Sequence, residues 1–351
     1  MLARNIKFVL GLIAGLGPFA SEAKACGGIG IDPRLTAICN LHAANTTPQT
    51  LQSLARTHQA LTRIGFRDGI QLFPPDEALD LQIAASPTLS FSENINGGLP
   101  SGTLEVAGLS FSPSEDAIQQ SGWLFGFELG AYGTYSLRRG SYFDFQATAS
   151  TQRALNYDLT IDRFTIAGCG HFHLDNWRYV DICGNRRFEE KDLSSERLTE
   201  ARLGLSQLWS NGGLSYRLSG GVSFSSSQNG EHNAGISIES EFIDFDGRNG
   251  GIQLELTNGN TPLEGHDYRA RVWLGGNLKN RPFQAFAEFR STYEGEILSM
   301  ERVDRMTQFG VTYVPHQDWI LSIGVTRVAS SIDYFSTTSP FLSIRYRALT
   351  F

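Results

Sequence analysis

The sequence predicts an all-β fold, a transmembrane antiparallel β-barrel of about 14 strands (roughly 12 to 16) with a short helical N-terminal segment. Three observations predict it. The chain opens on an export signal, period-two alternation persists over residues 85–351, and aromatic residues gather near the ends of the alternating runs.

The signal occupies residues 1–25. Arg4 and Lys7 form a positive region, Phe8 to Phe19 an apolar core, and Ala23 and Ala25 a small-residue pattern that predicts cleavage before Cys26. The apolar run is shorter than the ~20 residues a membrane helix needs. Cys26 also stands where a lipoprotein carries its lipid, but Ala23 replaces the leucine usual three residues before it, so ordinary cleavage is expected. No later stretch is long and apolar enough for a transmembrane helix. Hydrophobic residues make up 41% of the chain and mean hydropathy is −0.19. A membrane barrel reads this way, because its strands alternate apolar-out with polar-in. Removing the signal takes away three basic residues and one acidic, so 29 against 36 becomes 26 against 35, a net charge of −9. That excludes nucleic acid as a partner, which calls for a basic face.

Residues 26–84 differ in character from the rest of the mature chain and are expected to form a short periplasmic or plug-like segment. Thr47 and Pro48 suit an N-cap and first helical position. Leu51, Leu54, His58, Leu61 and Ile64 then recur at helical spacing, so one amphipathic helix is predicted, closed off by Pro74-Pro75. His58 reads as a helix-face residue.

From residue 85 onward the period is two. Phe143, Phe145, Ala147 and Ala149 alternate with Asp144, Gln146, Thr148 and Ser150; Leu214, Tyr216, Leu218, Val222 and Phe224 alternate with Ser215, Arg217, Ser219, Ser223 and Ser225. Turn signals such as Asn211-Gly212-Gly213 and Asn249-Gly250-Gly251 separate the runs. Several runs reach the length a tilted membrane strand needs, beyond the five or six residues usual in a sandwich. Trp123, Tyr135, Tyr142, Trp177, Trp209, Tyr313 and Trp319 are read as interfacial aromatics. Near the end, Leu342, Ile344 and Tyr346 are in one phase and Leu349 and Phe351 in the other. A bulge near Arg347 reconciles them.

Four cysteines allow three pairings. The expected bridges are Cys26–Cys39 and Cys169–Cys183, in an oxidising envelope. Cys169 and Cys183 are symmetric about residue 176, in a polar turn, so a tight hairpin sets them opposite each other. The same symmetry pairs His171 with Asp181 and His173 with Tyr179. Two cysteines and two histidines on one face also suggest zinc; the disulfide is preferred, so no metal is expected. Asp244 to Asn249 has a faint likeness to a calcium loop but lacks its terminal glutamate, and is read as a turn. The histidines sit in no G-x-S-x-G-type motif, so no catalytic residue, cofactor or enzyme activity is expected. The candidate functional residues are lumen charges: Arg217, Glu255, Arg269, Arg271, Glu288 and Arg290.

Two stretches carry a family resemblance. Pro87-Thr88-Leu89-Ser90-Phe91-Ser92-Glu93-Asn94-Ile95-Asn96 resembles the opening strand, with its N-x-N ending, of the barrel of the surface lipoprotein assembly modifier family. Ser331-Ile332-Asp333-Tyr334, leading through Leu342-Ser343-Ile344 to Phe351, is similar to that family's last hairpin. The resemblance spans residues 87–351 and implies an outer-membrane barrel connected with lipoprotein display. That family carries a helical-repeat domain before the barrel, where residues 26–84 offer one helix. The expectation is therefore a porin-like pore or export conduit in the outer membrane of a Gram-negative cell, with a non-conducting structural or binding barrel as the alternative. Expected partners are outer-membrane lipid, the barrel assembly machinery, and an exported lipoprotein or small solutes.

Overall fold

The computed structural model describes residues 26, 29, 31–46, 51–66 and, with short breaks, 79–350. The expected signal, Thr47-Pro48, Pro74-Pro75 and Phe351 lie outside the described residues. Fourteen strands run in chain order: β1 (Leu79–Ser92), β2 (Gly122–Ser136), β3 (Tyr142–Ala154), β4 (Thr160–His173), β5 (Arg178–Glu190), β6 (Ser195–Asn211), β7 (Leu214–Ser227), β8 (His232–Asp244), β9 (Asn249–Thr257), β10 (His266–Leu278), β11 (Arg281–Ile297), β12 (Met300–His316), β13 (Trp319–Ser330) and β14 (Thr337–Tyr346). Each pairs antiparallel with its sequence neighbours, and β14 pairs back onto β1, closing the barrel. Closure leaves no unpaired strand edge, which a lipid environment requires.

The alternation places side chains as expected. Phe127, Leu129, Ile166, Ile182, Leu205, Phe224, Ile238, Leu254 and Ile323 are exposed on the outer face, while Glu128, Arg217, Glu239 and Gln253, in the opposite phase, turn into the lumen. The phase break near the C-terminus is also present. Thr88 pairs with Arg345 and Ala85 with Leu349, so three steps back along β1 match four steps forward on the closing strand. One extra residue is accommodated there, as a bulge does.

Two expectations need correction. The barrel begins at Leu79, six residues before the expected boundary, because Leu79, Leu81 and Ile83 already pair with β2 and face outward. The N-terminal segment has two helices instead of one: α1 (Pro33–Thr46) and α2 (Leu51–Arg63). The two ends of the barrel differ. At one end the connections are tight, as at 137–141, 174–177, 212–213 and 245–248. At the other, the connection 93–121 carries a hairpin (Leu104–Val106 with Leu109–Phe111) and packs into the mouth, where Ile95 is buried against Leu124, Ala154 and Ile161. Its Asn96 carbonyl accepts from the Leu193 backbone N–H, and its Pro100 carbonyl accepts from the Tyr334 hydroxyl.

Candidate functional site

The two helices lie inside the tight-turn end of the lumen. α1 starts where it does because Asp32 caps it: the Asp32 carboxylate accepts from the Arg34 backbone N–H at 2.8 Å, and its carbonyl accepts from Thr36 N–H at 3.1 Å. Pro33 then occupies the first helical position, where its missing N–H costs nothing. Leu35, Ala37, Ile38 and Cys39 are all buried. Leu35, Ile38 and the Cys26–Cys39 disulfide pack against Tyr179, Leu208 and Ile243 of the wall. Ala37 meets Leu61 and Ile64 at the end of α2, together with Tyr142. Apolar residues on more than one side of α1 leave it without a clear amphipathic stripe, which is why periodicity overlooked it.

Two residues past the end of α2 comes Gly65, whose positive φ of 89° suits the turn that follows a helix. The Gly65 carbonyl accepts from Gly140 N–H of the β2–β3 turn at 3.1 Å. Phe66 comes next and packs edge-on to His173 and beside Trp177. Tyr142 and Trp177 therefore do not join an outer aromatic girdle. Tyr142 is 0% exposed and both pack on the helices.

A chain of charges fastens this segment to the wall. Arg34, 1% exposed, pairs with Asp32 at 2.7 Å and with Asp181 of β5 at 2.7 Å. It also donates to the Ser206 hydroxyl of β6 at 2.9 Å, and its guanidinium lies over the Tyr179 ring. Asp181 accepts from His171 Nδ1 at 2.7 Å, while His171 Nε2 meets Asp144 at 2.9 Å. On the other side Asp32 lies 3.5 Å from Arg217, which pairs with Glu239 at 2.8 Å and Glu241 at 2.9 Å. Burial alone would raise the Asp32 carboxyl; the guanidiniums of Arg34 and Arg217 outweigh it and hold the group well below the usual carboxylate range. A cavity of about 550 Å³ remains between segment and wall, lined among others by Asp32, Arg63, Tyr132 and Glu241.

All six lumen charges expected from sequence face inward, but they form two groups. Arg217 belongs to the fastening of the helices and also lines the cavity between them and the wall. The other five sit on β9, β10 and β11. Arg269 pairs with Glu288 at 2.8 Å and stands opposite Glu255 in register. Arg271 lies over Trp273 and Phe286, and Arg290 donates to Met306 Sδ at 3.6 Å. Sequence reading placed Asp181 beside His171 but missed Asp32 and Arg34, the groups that tie the segment to them. The Asp32-Pro33 capping pair was the signal that marked these two.

Both expected disulfides are present, and Cys169 pairs with Cys183, His171 with Asp181 and His173 with Tyr179 in register. The turn between them puts Asn176 and Trp177 at positive φ, and the Arg178 N–H donates to the Asp175 carbonyl to close it. Asp144, Cys169 and His171 converge within 4.8 Å. The Cys169 sulfur is bonded to Cys183, so it cannot serve as the thiolate a zinc site needs. The 244–249 stretch is a turn in which Arg248 pairs with Asp244 and Asp246.

A closed antiparallel barrel with an apolar outer face, a polar lumen and tight turns at one end is built for lipid. It is an outer-membrane-type barrel. No family model and no curated protein matches the chain. Among solved structures, Acinetobacter baumannii OccAB3 is similar at 9% identity and a TM-score of 0.40, over 78% of this chain and 99% of that one. Pseudomonas aeruginosa OccK8 (OprE) is similar at 10% identity and a TM-score of 0.37, over 77% and 98%. The outer membrane protein OprD from the same organism is similar at 8% identity and a TM-score of 0.40, over 78% and 94%. At such distances nothing about this barrel's cargo can be taken from theirs. The resemblance to the surface lipoprotein assembly modifier barrel finds no support among them.

Proposed function

We propose that this chain is an outer-membrane pore for small solutes whose periplasmic mouth is held closed by its own N-terminal segment. In barrels of this class the tight turns face the periplasm, which puts α1 and α2 at that mouth. The observation that carries the reading is Arg34: a guanidinium withdrawn from solvent and bonded at once to its own segment and to two strands of the wall. Such a latch fixes the helices in the lumen, yet every bond in it is reversible. The Cys26–Cys39 bridge joins the segment to itself and not to the wall, so release needs no covalent step. A conduit for an exported lipoprotein is not favoured, since the latched helices occupy the lumen such a client would cross. Outer-membrane lipid and the barrel assembly machinery are the partners this reading implies.

Planar-bilayer conductance of the refolded full barrel tests it, beside Arg34→Ala and a chain lacking residues 26–66. The expected result is a nearly silent parent, frequent openings for Arg34→Ala and steady conductance for the deletion. Silence from all three, with folding shown by heat-modifiable gel mobility, supports the non-conducting barrel instead. Steady conductance of the parent shows that the helices do not close the pore.

A further inference from the structure

Two pairs of arginines stand diagonally on adjacent strands of the outer face, where lipid and not water is the neighbour. Arg305 of β12 has the outward phase of Phe309 and Val311, and Arg327 of β13 that of Ile323 and Val325, all exposed. In register Arg305 is opposite Ala329 and Arg327 opposite Thr307, so the two are diagonal neighbours on adjacent strands. Arg186 of β5 and Arg197 of β6 repeat the arrangement seven strands away, on the opposite wall, through the pairs Arg186–Thr199 and Phe188–Arg197. The Arg197 guanidinium rests 5.1 Å from the centre of the Phe188 ring. Both pairs lie toward the long-connection end of their strands, above the aliphatic belt. Among the described residues no ion pair reaches any of the four. By contrast, the outward Arg153 pairs with Asp158 at 2.7 Å.

A charge on the lipid face is costly at mid-bilayer and tolerated only near the headgroups. Arginine stems reach upward along apolar surface to bring the charge there, and the planar guanidinium binds phosphate through paired hydrogen bonds. The next outward groups around Arg305 and Arg327 are neutral: Ser291, Thr307, Ala329 and Thr338. Asp162 and Glu190 lie one row above Arg197, toward the aqueous rim. We propose that these two arginine pairs, on opposite walls, are docking sites for the phosphate groups of anionic lipid in the outer leaflet. The bilayer itself selects a lipid as occupant over a free phosphate, because farther down the same outward rows Phe309 and Val325, and Ile182 and Leu203, are exposed hydrophobics that acyl chains cover.

Native mass spectrometry of the full barrel released from vesicles tests this. The vesicles contain phosphatidylcholine with a minor fraction of bisphosphorylated lipid A, its monophosphorylated form or its dephosphorylated form. Retained lipid should fall several-fold from the first to the last, a comparison that needs no variant. The combined Arg186→Gln, Arg197→Gln, Arg305→Gln and Arg327→Gln chain should lose most bisphosphorylated lipid, and Arg153→Gln should lose none. Equal retention of all three lipids, or of one lipid by parent and fourfold variant, overturns the proposal. So does displacement of the lipid by inorganic phosphate, which marks the sites as simple anion sites. Pore conductance is read separately, so either reading can fail without the other.

Discussion

Arg34 is the residue on which the closed state depends. It has one solvent-shielded guanidinium shared between Asp32 and Asp181, and removing it leaves as countercharge only the more distant Arg217 at 3.5 Å for Asp32 and only His171 for Asp181. Breaking a buried pair this way costs roughly 3–5 kcal/mol. Arg34→Ala should therefore free the helices while the wall stays folded, and limited proteolysis should cut within α1 in the variant but not in the parent. Asp32, on the segment itself, contributes a pH dependence. Its folded carboxyl lies below the usual range, so its stabilisation is complete above the ordinary carboxylate value of about 4 and is lost as pH falls toward the folded value. The helices should stay protected from protease at neutral pH and become accessible only in strong acid. Asp32→Asn should shrink that acid transition, leaving Asp181 as the remaining carboxylate on Arg34. Release near neutrality in the parent would place the controlling group elsewhere.

Among elements, the contact between α2 and the β2–β3 turn is set by two glycines. A Cβ on Gly65 would lie 2.3 Å from the Ser141 carbonyl oxygen, and one on Gly140 would lie 2.4 Å from the Phe66 ring. Both also hold positive φ, so a side chain adds backbone strain to the clash. Gly65→Ala and Gly140→Ala should each loosen the helices, seen as faster hydrogen exchange in residues 51–66 with unchanged strand content. Trp177 makes the same point from the other side. Its left-handed backbone is unusual for a bulky residue and is held by packing against both helices. The two disulfides should differ. Cys169 and Cys183 are already neighbours in a hairpin ladder, so replacing both with Ser should cost less stability than replacing Cys26 and Cys39, whose bridge closes the segment around the α1 cap. Denaturant midpoints of the two double variants compare them directly.

For the whole molecule, the wall and its contents are separable. Every wall strand has two hydrogen-bonded neighbours independently of the helices, so a barrel lacking residues 26–66 should still fold and show heat-modifiable mobility. What it should lose is closure. An unfolded product from that deletion would show that the helices are a core the wall requires.

The strand pattern was legible because each strand answers to a local rule: alternate residues meet lipid or lumen whatever the neighbour is, and a turn reverses the chain. By that rule the sequence alone determined the barrel, both disulfides and the phase break before Leu349, and it narrowed the strand number to between 12 and 16; closure of β14 onto β1 decided on fourteen. The sequence did not determine where the N-terminal segment goes. Helix α1 is covered on several sides, so its burial leaves no periodic stripe, and the pairing of Arg34 with Asp181 spans 147 residues. Only closure of the barrel brings β5, β6 and β7 around that segment, and only then do Asp32, Arg34, Asp181, His171 and Arg217 become one network. A charge's partner across a closed lumen is a property of the tertiary fold, because solvation along the chain specifies a side chain's direction and not what stands opposite it.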